Sequence, residues 1–300
     1  MPAGFPETAV PPVAAEPTAA PAPQPAPPVL PVPPAPAPSL GVNTPPAQKS
    51  TGSGFKWLLL IFLGIIIITA LCAALIVITD KDIRSVSVVR MEGTMITGDY
   101  ADEEVIGSEV VGRELRQAAD DPMVEAIVLR VNSPGGTPSA AQEIIGDLEY
   151  AKSKKPVVVS MGDIGTSAAY YVSAHADRIY ANPDTFTAGV GVIWEFSDIS
   201  QWMENEGYNI SVVKSGSKKD MGRESRPLSA DETTYAEKIV NDSFENFIAD
   251  VTRERSIARA DIEDGRVIRG ADAIKMNVID ELGNLNDAID GAKRMAESRR

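Results

Sequence analysis

From residue 85 onward, the apolar and polar positions alternate between strand-like and helix-like patterns. The runs VEAIVLRVN (124–132) and PVVVSMG (156–162) are typical of buried strands. Between them, residues 139–155 carry apolar side chains at helical spacing and lysines in the last turn. Strands that alternate with helices predict an α/β domain with a largely parallel sheet.

The same patterns predict the remaining elements. Further strands are expected at 85–93, 178–181, 188–196 and 208–216, and further helices at 107–119, 166–176 and 200–207. Ser229 and Glu232 match a capping box that starts a long helix. After residue 264 we expect a short strand, a helix, a turn at Gly283 and a last helix.

The N-terminal part follows a different pattern. Residues 1–54 hold 17 of the 23 prolines and almost no large apolar groups, which predicts a disordered tail. Residues 57–78 carry no charge and are long enough to cross a bilayer, so 55–79 is predicted to be a signal anchor in contact with lipid. The remaining 84–300 has the size of one domain. Lysine and arginine counts on the two sides of the anchor do not decide its orientation.

Charge and composition exclude several classes of function. The net charge of −14 falls after the anchor, which argues against nucleic-acid binding. The one cysteine, Cys72, lies in the predicted anchor, so the domain has neither a disulfide nor a thiol nucleophile. His175 is the only histidine, and no structural zinc cluster, other metal or cofactor is expected.

Two serines, Ser167 and Ser173, follow the strand at 156–162. If 166–176 is one helix, Ser167 and His175 are roughly 12 Å apart along its axis, too far for the direct proton transfer of a serine–histidine pair. We therefore interpret His175 as a packing or surface histidine and Ser173 as a small packing residue. Ser167 stands where a strand turns into a helix, beside unpaired backbone N–H groups that could stabilise an oxyanion.

A second glycine-rich turn, NSPGG at 132–136, also ends a strand. Open α/β sheets bind ligands beyond the carboxyl ends of their strands, so two such turns predict a ligand site there. With no usable histidine, a lysine could act as the base if burial keeps it uncharged. The segment KSGSKKD at 214–220 offers three lysines, and composition alone does not choose among them.

Together these segments resemble the signal peptide peptidase A (SppA) family of membrane-anchored serine proteases. The resemblance is carried, in the family's order, by NSPGG and the segments 161–193, 214–229 and 264–289, and it covers about residues 85–295. It implies a Clp protease/crotonase-like fold with repeated β-β-α units and a homo-oligomer shaped as a ring or dome. It also implies an extracytoplasmic catalytic domain with the tail inside.

The resemblance further implies which residues act. By its motifs, Ser167 is the nucleophile and Lys219, the second lysine of the KSGxxKD pattern, is the base. Gly136 and Ala168 would supply the oxyanion N–H groups. In single-domain relatives the serine and lysine meet across a subunit boundary. The implied substrates are remnant signal peptides and other extended apolar peptides.

The sequence departs from the family pattern at three positions. Ala168 and Ala169 replace two glycines, and Asp163 adds a charge where a small or hydroxyl residue is usual. Three alternatives stay open: a related protease that clips membrane scaffold proteins, a crotonase-like acyl-CoA enzyme, and a catalytically inactive membrane scaffold that binds apolar peptides.

Overall fold

A parallel β-sheet built from valine-rich strands organises the chain after residue 84. The computed structural model describes residues 53–83 and 85–299, and of the first helix only the side chains of 57–72. The predicted tail lies almost wholly outside the described residues. The strands are β1 (Ser85–Glu92), β2 (Thr94–Ile96), β3 (Val105–Gly107), β4 (Val124–Ser133), β5 (Val157–Thr166), β6 (Arg178–Ala181), β7 (Phe186–Ala188), β8 (Val267–Arg269) and β9 (Glu281–Leu282).

The main sheet runs in the order β1-β4-β5-β6-β9 with parallel neighbours. The sheet divides along β5, which pairs with β6 through Val158–Ser160 and then with β7 through Ile164–Thr166. Strand β8 adds the one antiparallel pairing in the described sheet, to β7. The prediction of an α/β domain with a largely parallel sheet is therefore confirmed.

The helices are α1 (Ser53–Ile83), α2 (Ser108–Asp120), α3 (Pro138–Lys152), α4 (Ala168–Ala174), α5 (Ser200–Asn205), α6 (Ala230–Glu254), α7 (Gly270–Ala273) and α8 (Leu285–Ser298). Of these, α2, α3 and α4 pack on one face of the sheet and α8 packs on the other. The predicted capping box at Ser229 and Glu232 is present at the start of α6. It supplies partners for N–H groups that a helix start leaves unpaired.

Alternate side chains of the central strands point to two separate apolar cores. In β4, Ile127 and Leu129 join the larger core with α2, α3, α4 and α6. Val128 faces the opposite side and packs with Tyr180 and the small residues of α8. This alternation follows from the two-residue period of a strand, and burial on both faces explains why β4 and β5 are almost continuously apolar.

Two predicted strands are wrong. Residues 189–199 and 208–214 have no regular secondary structure, although their apolar patterns are typical of strands. Ile193 is 89% exposed and Val213 is fully exposed. A strand needs a neighbour to pair its backbone groups, and the described part of the chain supplies none there.

Helix α1 contains the predicted anchor. In the described residues no helix is both long and apolar enough to cross a membrane. The structure therefore does not support the predicted span at 57–78, nor the lipid contact and topology that depend on it. The side chains of 73–83, within the predicted span and just after it, lie outside the described residues.

The close packing of α8 on the sheet predicts opposite effects for two helical glycines. A methyl group at Gly291 would overlap the buried Tyr180 hydroxyl, whereas one at Gly146, in α3, would meet nothing within 4 Å. We expect Gly291→Ala to destabilise the fold, because overpacking costs about 1–3 kcal/mol against about 1 kcal/mol gained in helix propensity. Gly146→Ala is the matched control and should stabilise by about 1 kcal/mol. Equal thermal unfolding midpoints for the two variants would contradict this packing.

Candidate active site

Ser167 occupies a strained position between β5 and α4. Its backbone has φ 54° and ψ −127°, in a region that residues with a side chain rarely adopt. Its N–H donates to the Ala188 carbonyl at 2.8 Å, and Ala188 also has a positive φ, 63°. The switch of β5 from β6 to β7 brings Ala188 to this place, so the sheet itself holds Ser167 in its strained conformation.

The NSPGG turn lies against the same junction. Gly135 has φ 111°, and a Cβ there would lie 2.8 Å from the Ser167 Cβ, so glycine is required for the close approach. The next residue, Gly136, forms a parallel bridge with Met95. In that bridge Met95 bonds to the Gly135 carbonyl and the Thr137 N–H, which leaves the N–H of Gly136 unused.

Two backbone donors therefore stand beside Ser167. Ala168 is the first residue of α4, and its N–H, like that of Gly136, has no hydrogen-bond partner among the described residues. The N–H of Ala168 would be 3.0 Å from a Cβ at Gly135. Unpaired donors next to a nucleophile can hold the negative oxygen of a tetrahedral intermediate.

Ser167, Gly136 and Ala168 line one cleft of about 590 Å³. Its other walls come from the start of α3, the segment after β7, the middle of α6 and the loop before β8; they are lined by Pro138, Gln142, Tyr171, Gly189, Val190, Gly191, Val192, Ile193, Val240, Asn241, Ser243, Phe244, Asn246, Phe247, Glu263, Asp264 and Gly265. The lining is mainly apolar or neutral, and its charged members are acidic.

No base reaches Ser167 within the described chain. The Ser167 hydroxyl makes no hydrogen bond there, and Tyr171 in the same cleft donates its hydroxyl to Asp250. Burial, and then this bond to Asp250, raise the pKa of Tyr171 above its usual range. The phenol therefore stays protonated at neutral pH and is a donor, not a proton acceptor.

The structure does not bring Lys219 to Ser167. Lys219 is exposed, does not line the cleft, and makes no side-chain hydrogen bond or ion pair with the described residues. Of the four predicted site residues, Ser167, Gly136 and Ala168 thus come together in one chain and Lys219 does not.

The backbone at Lys219 is nevertheless firmly held. The neighbouring Asp220 carboxylate is buried and binds the Lys214 ammonium at 2.5 Å and the Arg226 guanidinium at 2.8 Å. Arg226 also binds both oxygens of Glu232, the capping-box residue of α6. Two residues of the KSGxxKD motif, Lys214 and Asp220, thus have a structural role that sequence reasoning missed.

The other residues singled out from the sequence lie away from the reacting atoms. Ser173 is fully buried and donates to the Ala169 carbonyl, which confirms its interpretation as a packing residue, and His175 is buried at the end of α4, beside Glu149. Asp163 is exposed and Ala169 is fully buried, and neither lines the cleft. Ala168 is therefore the only one of the three departures that faces this cleft.

Sequence reasoning also missed one wall of the cleft. Helix α6 was predicted from its capping box, but nothing in its pattern indicated that Val240, Asn241 and Phe244 would face Ser167.

Comparison with known proteins gives consistent results. The sequence pattern described as Peptidase family S49 matches residues 149–299. The chain is 32% identical over 220 residues to "Protease 4" of Haemophilus influenzae and 31% identical over 217 residues to "Protease 4" of Salmonella typhi. It is 28% identical over 214 residues to "Serine protease SPPA, chloroplastic" of Arabidopsis thaliana.

These relatives are much longer than the matched part. The alignments cover 72%, 71% and 70% of this chain, but only 35%, 35% and 31% of the three relatives, in the same order. The chain therefore spans about a third of the length of these proteins.

The strain at Ser167 predicts that a glycine variant is more stable than an alanine variant there, the reverse of their order inside a helix. Ser167→Gly should be more stable than Ser167→Ala by roughly 1 kcal/mol, because relief of about 1–3 kcal/mol of backbone strain exceeds glycine's cost of about 0.5–1 kcal/mol. The check is urea unfolding of both proteins. The same pair at Ser173, inside α4, should show the opposite order. An alanine variant at 167 as stable as the glycine variant would show that the junction is unstrained.

The ion network beside Lys219 predicts a loss of stability in acid. Arg226, then the Ser229 N–H, lower the pKa of Glu232 to about 2, and Arg226, then Lys214, hold that of Asp220 well below its usual range. A carboxyl group whose pKa is lower in the folded than in the unfolded state stabilises the fold at pH values above its unfolded pKa. That stabilisation is lost as the pH falls through the folded pKa. The thermal midpoint should therefore fall from about pH 4.5 towards pH 2.

Two arginine variants test this network. Arg226→Ala should lower the midpoint at pH 7 and flatten its dependence between pH 4.5 and 2. Arg223→Ala, which removes an exposed guanidinium without a side-chain partner in the described chain, should change neither. The same acid profile in Arg226→Ala and the unmodified protein would rule out this origin of the acid sensitivity.

Proposed function

The chain belongs to peptidase family S49, and from this premise we propose that it is a serine endopeptidase with Ser167 as nucleophile and Lys219 as base. One observation carries the proposal: a strained serine beside two unpartnered N–H groups in one cleft. The finer assignment to a Clp protease/crotonase-like fold stays a prediction of the resemblance.

The proposed reaction uses Ser167, Lys219 and the two backbone donors. The Ser167 Oγ attacks the scissile carbonyl while Lys219 accepts its proton, and the N–H groups of Gly136 and Ala168 hold the oxyanion. Lys219 then protonates the leaving amine. Water, activated by the same lysine, releases the acyl group and restores the serine. A lysine accepts a proton only when uncharged, a form favoured where a second molecule excludes water.

We infer that Lys219 serves the Ser167 of a second copy. Within one chain it lies outside the cleft, yet the Asp220 network fixes its backbone. Large apolar side chains are exposed in both regions that would meet: Val213 directly precedes the Lys219 segment, and Ile193 lines the cleft. Large exposed apolar groups favour association, and unpaired segments can form strands with a partner. In a closed ring, the Ser167 of every copy can meet the Lys219 of a neighbouring copy.

The cleft favours an extended apolar peptide. Residues 190–192 line it and make no backbone hydrogen bonds among the described residues, so a peptide can pair with them as an added strand. Val190, Val192 and Phe244 offer apolar surface for its side chains, and no lysine or arginine lines the cleft. Remnants of signal peptides have this chemistry and are the proposed substrates.

One observation favours a second candidate function. Because no base reaches Ser167 from the described residues of one chain, the protein could bind apolar peptides without cleaving them, as a peptide-binding scaffold. The two functions share the cleft and differ only in whether Lys219 of another copy arrives there.

Mixing two inactive variants tests the proposal. Ser167→Ala and Lys219→Ala should each abolish cleavage of fluorogenic apolar peptides. Co-assembled from the unfolded state in equal amounts, they should regain activity, because about a quarter of the sites would combine an intact serine with an intact lysine of a neighbour. Cleavage rates and oligomeric state would be measured on the same samples.

The controls separate the outcomes. Lys218→Ala, which removes the adjacent lysine, should remain active alone. Single variants that are inactive and give no recovery on mixing would place the dyad within one chain. An active Lys219→Ala protein would reject this base. An assembled unmodified protein that binds the peptides but never cleaves them would establish the scaffold instead.

A further inference from the structure

The only histidine of the chain stands among acidic side chains on the far side of α4 from Ser167. His175 follows the last residue of α4, Glu149 lies on α3, and Glu254 is the last residue of α6. One ring nitrogen and one carboxylate oxygen from each glutamate lie within 4.8 Å of one another. Residues far apart in sequence thus bring three metal-binding side chains to one place.

The state of the imidazole provides an independent observation. His175 is 5% exposed, and its Nδ1 lies 3.2 Å from the Glu149 Oε1. Its Nε2 is buried and has no hydrogen-bond partner among the described residues. Two donors of one tetrahedral metal ion stand roughly 3.4 Å apart, so the 3.2 Å between Nδ1 and the Glu149 Oε1 allows both groups to bind one ion.

The carboxylates retain free oxygens despite nearby cations. Lys152 Nζ lies 3.2 Å from the Glu149 Oε1, and Arg253 Nε lies 3.1 Å from the Glu254 Oε1. In both glutamates the second oxygen, Oε2, has no partner in the described part of the chain. A metal ion can therefore bind these oxygens without displacing either cation.

We propose that Glu149, His175 and Glu254 bind one divalent transition-metal ion, with zinc as the best match. Zinc accepts imidazole nitrogen and carboxylate oxygen together, whereas calcium and magnesium prefer oxygen alone. Its donors stand roughly 3.4 Å apart in a tetrahedral site, so the three side chains need only small rotamer adjustments. No sequence pattern indicates this site, because the two glutamates come from distant positions.

A bound ion would link the three helices that carry the cleft walls. The cleft is lined by Pro138 and Gln142 at the start of α3, by Ser167 and Ala168 at the start of α4, and by Phe244 in the middle of α6. The ion would join the opposite ends of α3 and α4 to the end of α6. This proposal concerns binding alone and does not rest on peptidase activity.

Competition against a chromophoric zinc chelator tests it with the purified full chain. We expect one zinc ion per chain, with affinity lowered at least about tenfold in Glu254→Gln and in His175→Gln. Glu237→Gln, an exposed glutamate on the same helix, is the matched control and should bind as the unmodified protein does. Because Glu254 is at the surface, its variant should fold even if removal of the buried imidazole does not allow folding.

The single histidine also permits a direct readout. Protein labelled with ¹³C at histidine Cε1 gives one imidazole signal, which zinc should shift and a chelator should restore, while calcium should leave it unchanged. The proposal would be overturned if the protein binds no zinc, or if Glu254→Gln binds zinc as tightly as the unmodified protein. It would also be overturned if zinc binds but leaves the imidazole signal in place.

Discussion

The backbone strain at Ser167 is the constraint on which the site depends. A residue with a side chain remains at φ 54° only if its surroundings allow no relaxation. The end of β5 pairs with β7 instead of β6, so the Ser167 N–H donates to the Ala188 carbonyl. The glycine-rich turn closes the opposite side. The sheet topology produces this junction, and the junction in turn places the two N–H donors beside Ser167.

The Lys219 segment is organised by a different physical principle. Where β5 and its neighbours rely on buried apolar surface and backbone pairing, residues 214–226 have almost no core of their own. A buried carboxylate, Asp220, and the two-sided guanidinium of Arg226 take that role and connect the segment to the start of α6. Such bidentate contacts fix orientation as well as distance. The segment is therefore ordered by charge rather than by apolar packing.

The sequence predicted what depends on local pattern and short spacing. The central strands, the capping box of α6 and the neighbourhood of Ser167 follow from periodicity and from turns at strand ends. The predicted strands at 188–196 and 208–216 failed because a strand depends on a neighbour, which one chain's pattern does not reveal. The α6 wall of the cleft and the grouping of Glu149 with His175 were equally hidden, since both arise from contacts between distant segments.

The tight fit at the junction also limits how this site can evolve. Threonine at position 167 would add a branched Cβ at a positive φ, which is a severe outlier for such residues. The space beside the Ser167 Cβ is also narrow, since a Cβ added at Gly135 would lie 2.8 Å from it. A hydroxyl nucleophile could persist here only as serine. Lineages that lose it would pass most easily through glycine, which relaxes the backbone and leaves a stable fold with an empty cleft.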